Sequence, residues 1–84
     1  MPLKTSIEVL EAMASGGPRS GTVWRHFKGG RYLVLHVALN EKDGEALVVY
    51  VSLTDGVIWA RPLCEWDDGL DYEGREVTRF VRDV

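Results

Sequence analysis

The chain has 84 residues, of which 45% are hydrophobic and 27% charged, and a formal net charge of −3. That length suits one small domain, near the lower limit at which a hydrophobic core holds without disulfides or metal. No apolar run approaches the roughly 20 residues that cross a bilayer as a helix, so membrane spanning by a helix is excluded.

Cys64 is the only cysteine and cannot close an internal disulfide. No basic segment followed by an apolar stretch and a small-residue cleavage site opens the chain. Together these features predict a cytoplasmic protein without a membrane role. Residues 1–40 carry five basic and two acidic side chains, net +3, while residues 41–84 carry five basic and eleven acidic, net −6. Overall acidity argues against a nonspecific coat on duplex DNA. The segregation can steer an anionic partner to one side, or it is an ordinary solvated surface of mixed sign.

The first element is a predicted helix. Thr5 and Glu8 form a capping-box pattern. Ile7, Val9, Leu10, Met13 and Ala14 fall within half of a helical wheel, and Gly16, Gly17 and Pro18 end the pattern. A helix over residues 6–15 is under three turns, so its apolar side needs the rest of the domain or a second subunit to dock on. Residues 1–18 are therefore read as a helix with its linker, and residues 19–84 as one small β-barrel-like domain.

From Thr22 onward the pattern changes to strands punctuated by glycine: TVWRHF, RYLVLHVAL, ALVVYVSL, VIWAR and, after an acidic link over Glu65 to Gly69, EVTRFV. The link follows Pro62 and is read as a helical turn or loop, with a C-terminal hairpin at Glu73-Gly74. Short strands joined by tight turns predict a mostly β fold: a small SH3-like barrel or a strongly bent antiparallel meander with one N-terminal helix.

The turns predict the register. Leu33, Leu35, Val37 and Leu39 alternate along one strand, and Leu47, Val49, Val51 and Leu53 along the next, so these sets are expected to share the core face. A three-residue loop Lys42-Asp43-Gly44 then places His36 opposite Tyr50. A two-residue Asp55-Gly56 loop pairs Leu53 with Ile58, Ser52 with Trp59 and Tyr50 with Arg61. The other face bears Val34, Ser52, Trp59, His36, Tyr50 and Arg61. It is either covered by the helix or open as a platform, where rings stack bases and an arginine takes a phosphate or a base edge. The opposing reading is that Trp59 and Tyr50 supply buried area, with Arg61 held by a carboxylate such as Glu41 or by carbonyls.

The most unusual stretch is WRHFKGGRY, residues 24–32. Gly29-Gly30 is expected to turn one strand into the next, gathering Arg25, His26, Lys28 and Arg31 at one end of the sheet. Exposed glycine N–H groups beside lysine and histidine can hold a phosphate or carboxylate, but the spacing matches neither GxxxxGK[ST] nor GxGxxG. Cys64 is read as a buried structural cysteine, because nearby carboxylate would blunt a thiol. Glu65, Asp67, Asp68 and Asp71 lack the ligand order of a calcium loop and are read as a solvated acidic loop. No metal is expected.

At these residues the chain resembles a family of small bacterial domains of unknown function, number 1653. The resemblance runs from about Gly21 to Phe80. It rests on RHFKG (Arg25 to Gly29), Tyr32 with Val34 and Leu35, Ala38, Glu41, LVVY (Leu47 to Tyr50), WARPL (Trp59 to Leu63), and Arg79 with Phe80. The segment LNEKDGE, Trp66 and Thr78 depart from the family pattern, and the N-terminal helix lies outside the resemblance. The family has no established activity, so the resemblance implies little about function, but it draws Arg25, His26, Lys28, Tyr50, Trp59 and Arg61 into one shared pattern, and no cofactor is expected.

The function expected is a non-enzymatic binding module for an anionic planar ligand: a nucleotide, a modified base or single-stranded nucleic acid. The ligand-binding candidates are Arg25, His26, Lys28, Tyr32, His36, Tyr50, Trp59 and Arg61. Tyr50 and Trp59 would stack, and Arg25, Lys28, Arg61 and His26 would contact the anion. The alternative is a protein-protein interaction module, monomer or weak homodimer, using the aromatic face or the helix. A small hydrolase or transferase built on His26 or His36 ranks below both, and no catalytic residue is assigned.

Overall fold

In the computed structural model, residues 16–83 are described. The helix expected over 6–15 lies outside them. The strands are β1 (Val23–His26), β2 (Arg31–Leu39), β3 (Ala46–Ser52), β4 (Ile58–Pro62), β5 (Gly69–Tyr72), β6 (Arg75–Thr78) and β7 (Phe80–Arg82), with one 3₁₀ turn at Leu63–Glu65. A five-stranded antiparallel sheet has the order β4-β3-β2-β1-β7, and β5 and β6 form a separate hairpin. The sheet is open, with β4 and β7 at its edges, so it does not close into the barrel considered from the sequence. Closure fails because the chain after β4 leaves the sheet through the 3₁₀ turn and returns only as β7, beside β1.

Local chemistry accounts for the turns. Gly29 (φ 97°) and Gly30 (φ 86°) occupy left-handed backbone between β1 and β2, which a residue with a Cβ adopts only under strain. The Gly29 N–H donates to the His26 carbonyl at 2.8 Å and the His26 N–H to the Gly30 carbonyl at 3.1 Å. Between β2 and β3, the Asn40 N–H donates to the Glu45 carbonyl at 2.8 Å and the Gly44 N–H to the Asn40 carbonyl at 2.6 Å. This makes a loop over 41–44, one residue longer than expected.

That extra residue moves the register. Val37 pairs with Val48 and His36 with Val49; a bulge at Leu35 then shifts the pairing, so that Val34 faces Tyr50 and Tyr32 faces Ser52. The pair expected between His36 and Tyr50 is not formed. At the next turn the Ser52 N–H donates to the Val57 carbonyl and the Gly56 N–H to the Ser52 carbonyl, each at 2.9 Å, so the loop spans 53–56 rather than Asp55-Gly56 alone. Tyr50 consequently pairs with Trp59 and Val48 with Arg61.

The core lies on the face opposite to the one expected. Along β3, Ala46, Val48, Tyr50 and Ser52 are buried while Leu47, Val49 and Val51 are only half-buried. The core cluster is Trp24, Val34, Ala46, Val48, Tyr50, Leu63, Trp66 and Phe80, with Tyr32 and Val37 packed against it. The physical reason is Trp66. Aromatic side chains carry the largest apolar area per residue, and the link after β4 lays this ring on the aromatic face. It is fully buried and stacks on Phe80, with centroids 3.9 Å apart and planes 4° from parallel. Trp24 and Tyr50 meet it edge-on at 5.7 and 4.9 Å. Cys64, expected inside, is exposed on the 3₁₀ turn.

The acidic link is only partly solvated, because Asp68 is bound to Arg79. Arg79 Nε and Nη2 donate to the two Asp68 carboxylate oxygens at 2.7 and 3.4 Å, the Arg79 N–H donates to the Asp68 carbonyl at 3.0 Å, and the Phe27 N–H donates to the Arg79 carbonyl at 3.0 Å. The link is thereby tied to the start of β7 and the end of β1.

Trp66→Ala is expected to destabilise the domain by about 3 to 5 kcal/mol. Trp59→Ala, where the ring is 53% exposed, is expected to cost about 0.5 kcal/mol or less. Urea midpoints distinguish them, and equal losses would place Trp59 in the core. The Arg79 hydrogen bonds, followed by the Arg79 charge, hold the Asp68 carboxyl below its ordinary value despite the opposing effect of burial. A depressed folded pKa stabilises above the unfolded pKa and is lost as the pH falls through the folded one. Asp68→Asn is therefore expected to lower the urea midpoint at neutral pH, with the gap to wild type closing below about pH 4.

Candidate functional site

The register places a set of unlike side chains on the aromatic face beyond the edge of the core. In antiparallel pairs, directly opposed residues share a face. Tyr50 and Trp59 are such a pair, as are His26 on β1 and Phe80 on β7. A cleft of about 270 Å³ is lined by His26, Tyr32, Tyr50, Ser52, Asp55, Trp59, Arg61 and Phe80. Its aromatic wall is a chain of edge contacts: His26 to Phe80 at 4.9 Å, Phe80 to Tyr32 at 5.6 Å, and Tyr32 to Tyr50 at 5.4 Å. Trp59, on edge strand β4, is the half-exposed ring of the set.

Arg61 is the cation of this cleft. Its Nε is buried and has no hydrogen-bond partner, and its Nη1 stands 3.7 Å from the exposed Glu65 carboxylate, too long for a hydrogen bond. Glu65, not Glu41, is thus its neighbour. Ser52 accepts from the Thr54 and Asp55 N–H groups at 3.2 and 3.4 Å, and Asp55 Oδ1 accepts from the Val57 N–H at 3.0 Å. These bonds fix the loop that carries Asp55 to the cleft.

His26 is the histidine of the cleft. Burial lowers its pKa from 6.5, and the charges of Arg61, Arg79 and Lys28 lower it further. The ring is therefore neutral at neutral pH. Its Nδ1 accepts the Lys28 N–H at 3.2 Å, which leaves Nε2 as the protonated, donating nitrogen.

Five of the eight residues expected from the sequence, His26, Tyr32, Tyr50, Trp59 and Arg61, line this cleft. The other three do not. Arg25 lies on the other face and joins Arg31 in holding Asp83, at 3.3 and 2.7 Å. Lys28 is exposed in the turn, its amine 5.7 Å from the centroid of the Phe27 ring, and it acts on the cleft through its backbone N–H on His26 and its field on that ring. His36 is exposed beyond the bulge, paired with Val49 on the aliphatic face.

Residues 22–82 match a family described as a protein of unknown function, DUF1653. The chain belongs to this family. A solved DUF1653 protein from Bordetella bronchiseptica is similar to it, with 32% identity and a TM-score of 0.64 over 71% of this chain and 81% of that one. No curated protein matches the chain. The DUF1653 match takes in every residue that lines the cleft and none of residues 1–21.

Sequence reasoning missed Asp55 and Phe80 as lining residues, and it placed Ser52 on this face without making it a binding candidate. Asp55 reads as turn chemistry and Ser52 as one polar residue of a strand, so neither carries a separate signal. Phe80 had one, as part of the Arg79-Phe80 pair, but its place beside His26 follows only from the return of β7 to β1. Among the described residues no cluster of histidine, cysteine, aspartate or glutamate could hold a metal, and no helix is long and apolar enough to cross a membrane.

The field at His26 gives a direct check on this geometry. The His26 ring, followed by NMR, is expected to titrate below the ordinary histidine value of about 6.5, and Arg61→Gln is expected to raise the midpoint by removing a neighbouring positive charge. An unchanged midpoint in the variant would mean that Arg61 does not face the ring.

Proposed function

We propose that this DUF1653 domain is a non-enzymatic binding module for a planar ligand that carries an anionic group, of which a nucleotide or a modified base is the representative class. The observation that carries the reading is Arg61: a guanidinium with a buried, unpartnered Nε, in an aromatic cleft beside a half-exposed tryptophan. A buried donor without a partner costs about 1 to 3 kcal/mol, and an anionic ligand removes that cost on binding. A base stacked on an aromatic ring contributes about 1 to 3 kcal/mol.

In this reading Trp59 supplies the stacking surface and Arg61 takes the anion. The neutral His26 donates from Nε2, and Asp55 offers an acceptor for an amino edge. Tyr32, Tyr50 and Phe80 are the wall. A cleft of about 270 Å³ is just below the range of about 300 to 1,000 Å³ that holds a drug-sized ligand, which favours one ring system over a run of stacked bases. Lys28, exposed in the turn beside His26, is then an outer cation that draws an anion in, while Arg25, paired with Asp83 on the other face, has no part in the site.

The test is an NMR amide titration of the labelled domain with mononucleotides and short single-stranded oligonucleotides, at low and high salt. Shifts at His26, Tyr50, Trp59 and Arg61 that weaken with salt are expected. Arg61→Lys is expected to reduce affinity about tenfold or more because the planar fork is lost, and Trp59→Ala by a similar factor. Silence with every ligand, or shifts insensitive to salt, would overturn the reading in favour of an apolar protein-binding surface.

A further inference from the structure

Edge strand β4 is not built to face water. Leu53, Val57, Ile58 and Trp59, which lie in the turn leading to it and in its first half, are between 41% and 61% exposed. They are four of the six exposed large hydrophobic residues among the described residues. Sheet edges are ordinarily protected by shortness, a bulge, lysine or proline. The opposite edge, β7, has only three residues, whereas β4 pairs with β3 over five successive positions without a bulge, carries no lysine, and has its one proline at the end.

The turn before β4 shows which of its backbone groups face outward. The Ser52 N–H donates to the Val57 carbonyl, and in an antiparallel pair every second residue bonds to the same neighbour, so Val57, Trp59 and Arg61 are engaged with β3. Ile58, Ala60 and Pro62 therefore turn their peptide groups away from it. Proline has no N–H, so the edge presents two donors, at Ile58 and Ala60, and three acceptors.

We propose that this edge pairs with the same edge of a second copy, antiparallel about Ala60, so that two five-stranded sheets join into one. The sequence of β4 selects this occupant because it is complementary to itself under a two-fold axis. With Ala60 opposite Ala60 of the partner subunit, each Ala60 N–H donates to the other's carbonyl and each Ile58 N–H to the Pro62 carbonyl across from it. Both outward donors of each copy are used, and the missing N–H of Pro62 falls at the end of the ladder. The side chains agree with the backbone. Trp59 comes opposite Arg61 of the partner subunit on the cleft face, where a guanidinium is drawn to an indole ring, and Ile58 comes opposite the partner's Pro62 on the aliphatic face. Centring the pair on Trp59 instead would set Trp59 against Trp59 and Arg61 against Val57, which gives up both cation–ring pairs. Each Arg61 keeps its own Glu65 carboxylate at 3.7 Å, so the two guanidinium groups do not approach without counterions.

A contact along one five-residue strand belongs to the weak, dissociable class of interfaces, so association is reversible. Directly opposed residues share a face, so the two clefts lie side by side on one face of the joined sheet, and each receives a guanidinium from the other copy beside its Trp59. The dimer does not depend on the ligand reading, and its test contains no ligand.

The experiment is sedimentation equilibrium of the full chain from micromolar to millimolar concentration. The mass is expected to rise from that of one chain toward that of two. Ala60→Pro removes an outward N–H that β3 does not use, and is expected to abolish the rise; Ile58→Lys, at a side chain already 61% exposed, is expected to do the same by placing a charge on the edge. For the wild type, a mixture of isotope-labelled and unlabelled chain is expected to give NMR contacts between the α-protons of Trp59 in one copy and Arg61 in the other. A single-chain mass at every concentration would overturn the proposal. So would a dimer that both variants leave intact, which would place the interface elsewhere, or contacts from Trp59 to Trp59 in place of Trp59 to Arg61.

Discussion

The burial of Trp66 is the constraint on which the rest of the structure depends. In a chain of this size the aromatic face can become a dry core only if something covers it, and among the described residues the cover is the link between β4 and β5. The 3₁₀ turn, closed by the Trp66 N–H on the Leu63 carbonyl at 3.1 Å, drops the indole onto Phe80, Trp24 and Tyr50. The parallel stack with Phe80 brings β7 against β1, and the edge contact with Tyr50 makes the even-numbered side of β3 the interior. Packing of rings at these distances adds to the area they bury, so the choice of face follows from where the aromatics converge and not from the longer aliphatic run.

That hierarchy explains which parts of the fold can be read from the sequence. Strand existence is legible from β1 to β4, because each is a short β-rich run between glycine or proline signals; the last expected segment, EVTRFV, is instead broken at Arg79 into β6 and β7, which belong to different sheets and have no glycine or proline between them. The span of β2 and the hairpin at Glu73-Gly74 emerge almost residue for residue. Register is not. Side chains alternate with period two, so one extra residue in the loop over 41–44 exchanges the two faces of β3 relative to β2. The bulge at Leu35 then exchanges them back for Val34 and Tyr32. Neither the fourth loop residue nor the bulge has a sequence mark as strong as the alternation they overrule. The aliphatic positions Leu33, Leu47, Val49 and Val51 mislead for the same reason: they are a real apolar stripe, on the face away from the core cluster.

The candidate site is more legible than the core because its members depend on relative register within one hairpin. Tyr50, Trp59 and Arg61 stay on a common face whether the turn after β3 holds two residues or four, since a shift of two preserves parity. His36 does not survive, because the bulge separates it from them. His26 and Tyr32 join through the Gly29-Gly30 turn, while Arg25, one residue before His26, points the other way and is spent on Asp83. A cluster of like residues in sequence is thus divided by the pleat into one that lines the cleft and one that closes the end of the sheet.

The same link that supplies Trp66 also sets two arginines to different tasks. Arg79 meets Asp68 through two guanidinium nitrogens and a backbone bond. Charge-assisted pairing of that geometry is strong and directional, and it raises the already high pKa of Arg79. Arg61 receives only Glu65, four residues on, at 3.7 Å and with the carboxylate half in water. An exposed pair of that kind contributes roughly 0 to 1 kcal/mol and leaves the buried Nε unsatisfied. The structural clamp is satisfied within the fold, and the guanidinium in the cleft keeps a buried donor without a partner. That difference distinguishes Arg61 from Arg79, and it is the observation on which the proposed anion contact beside Trp59 rests.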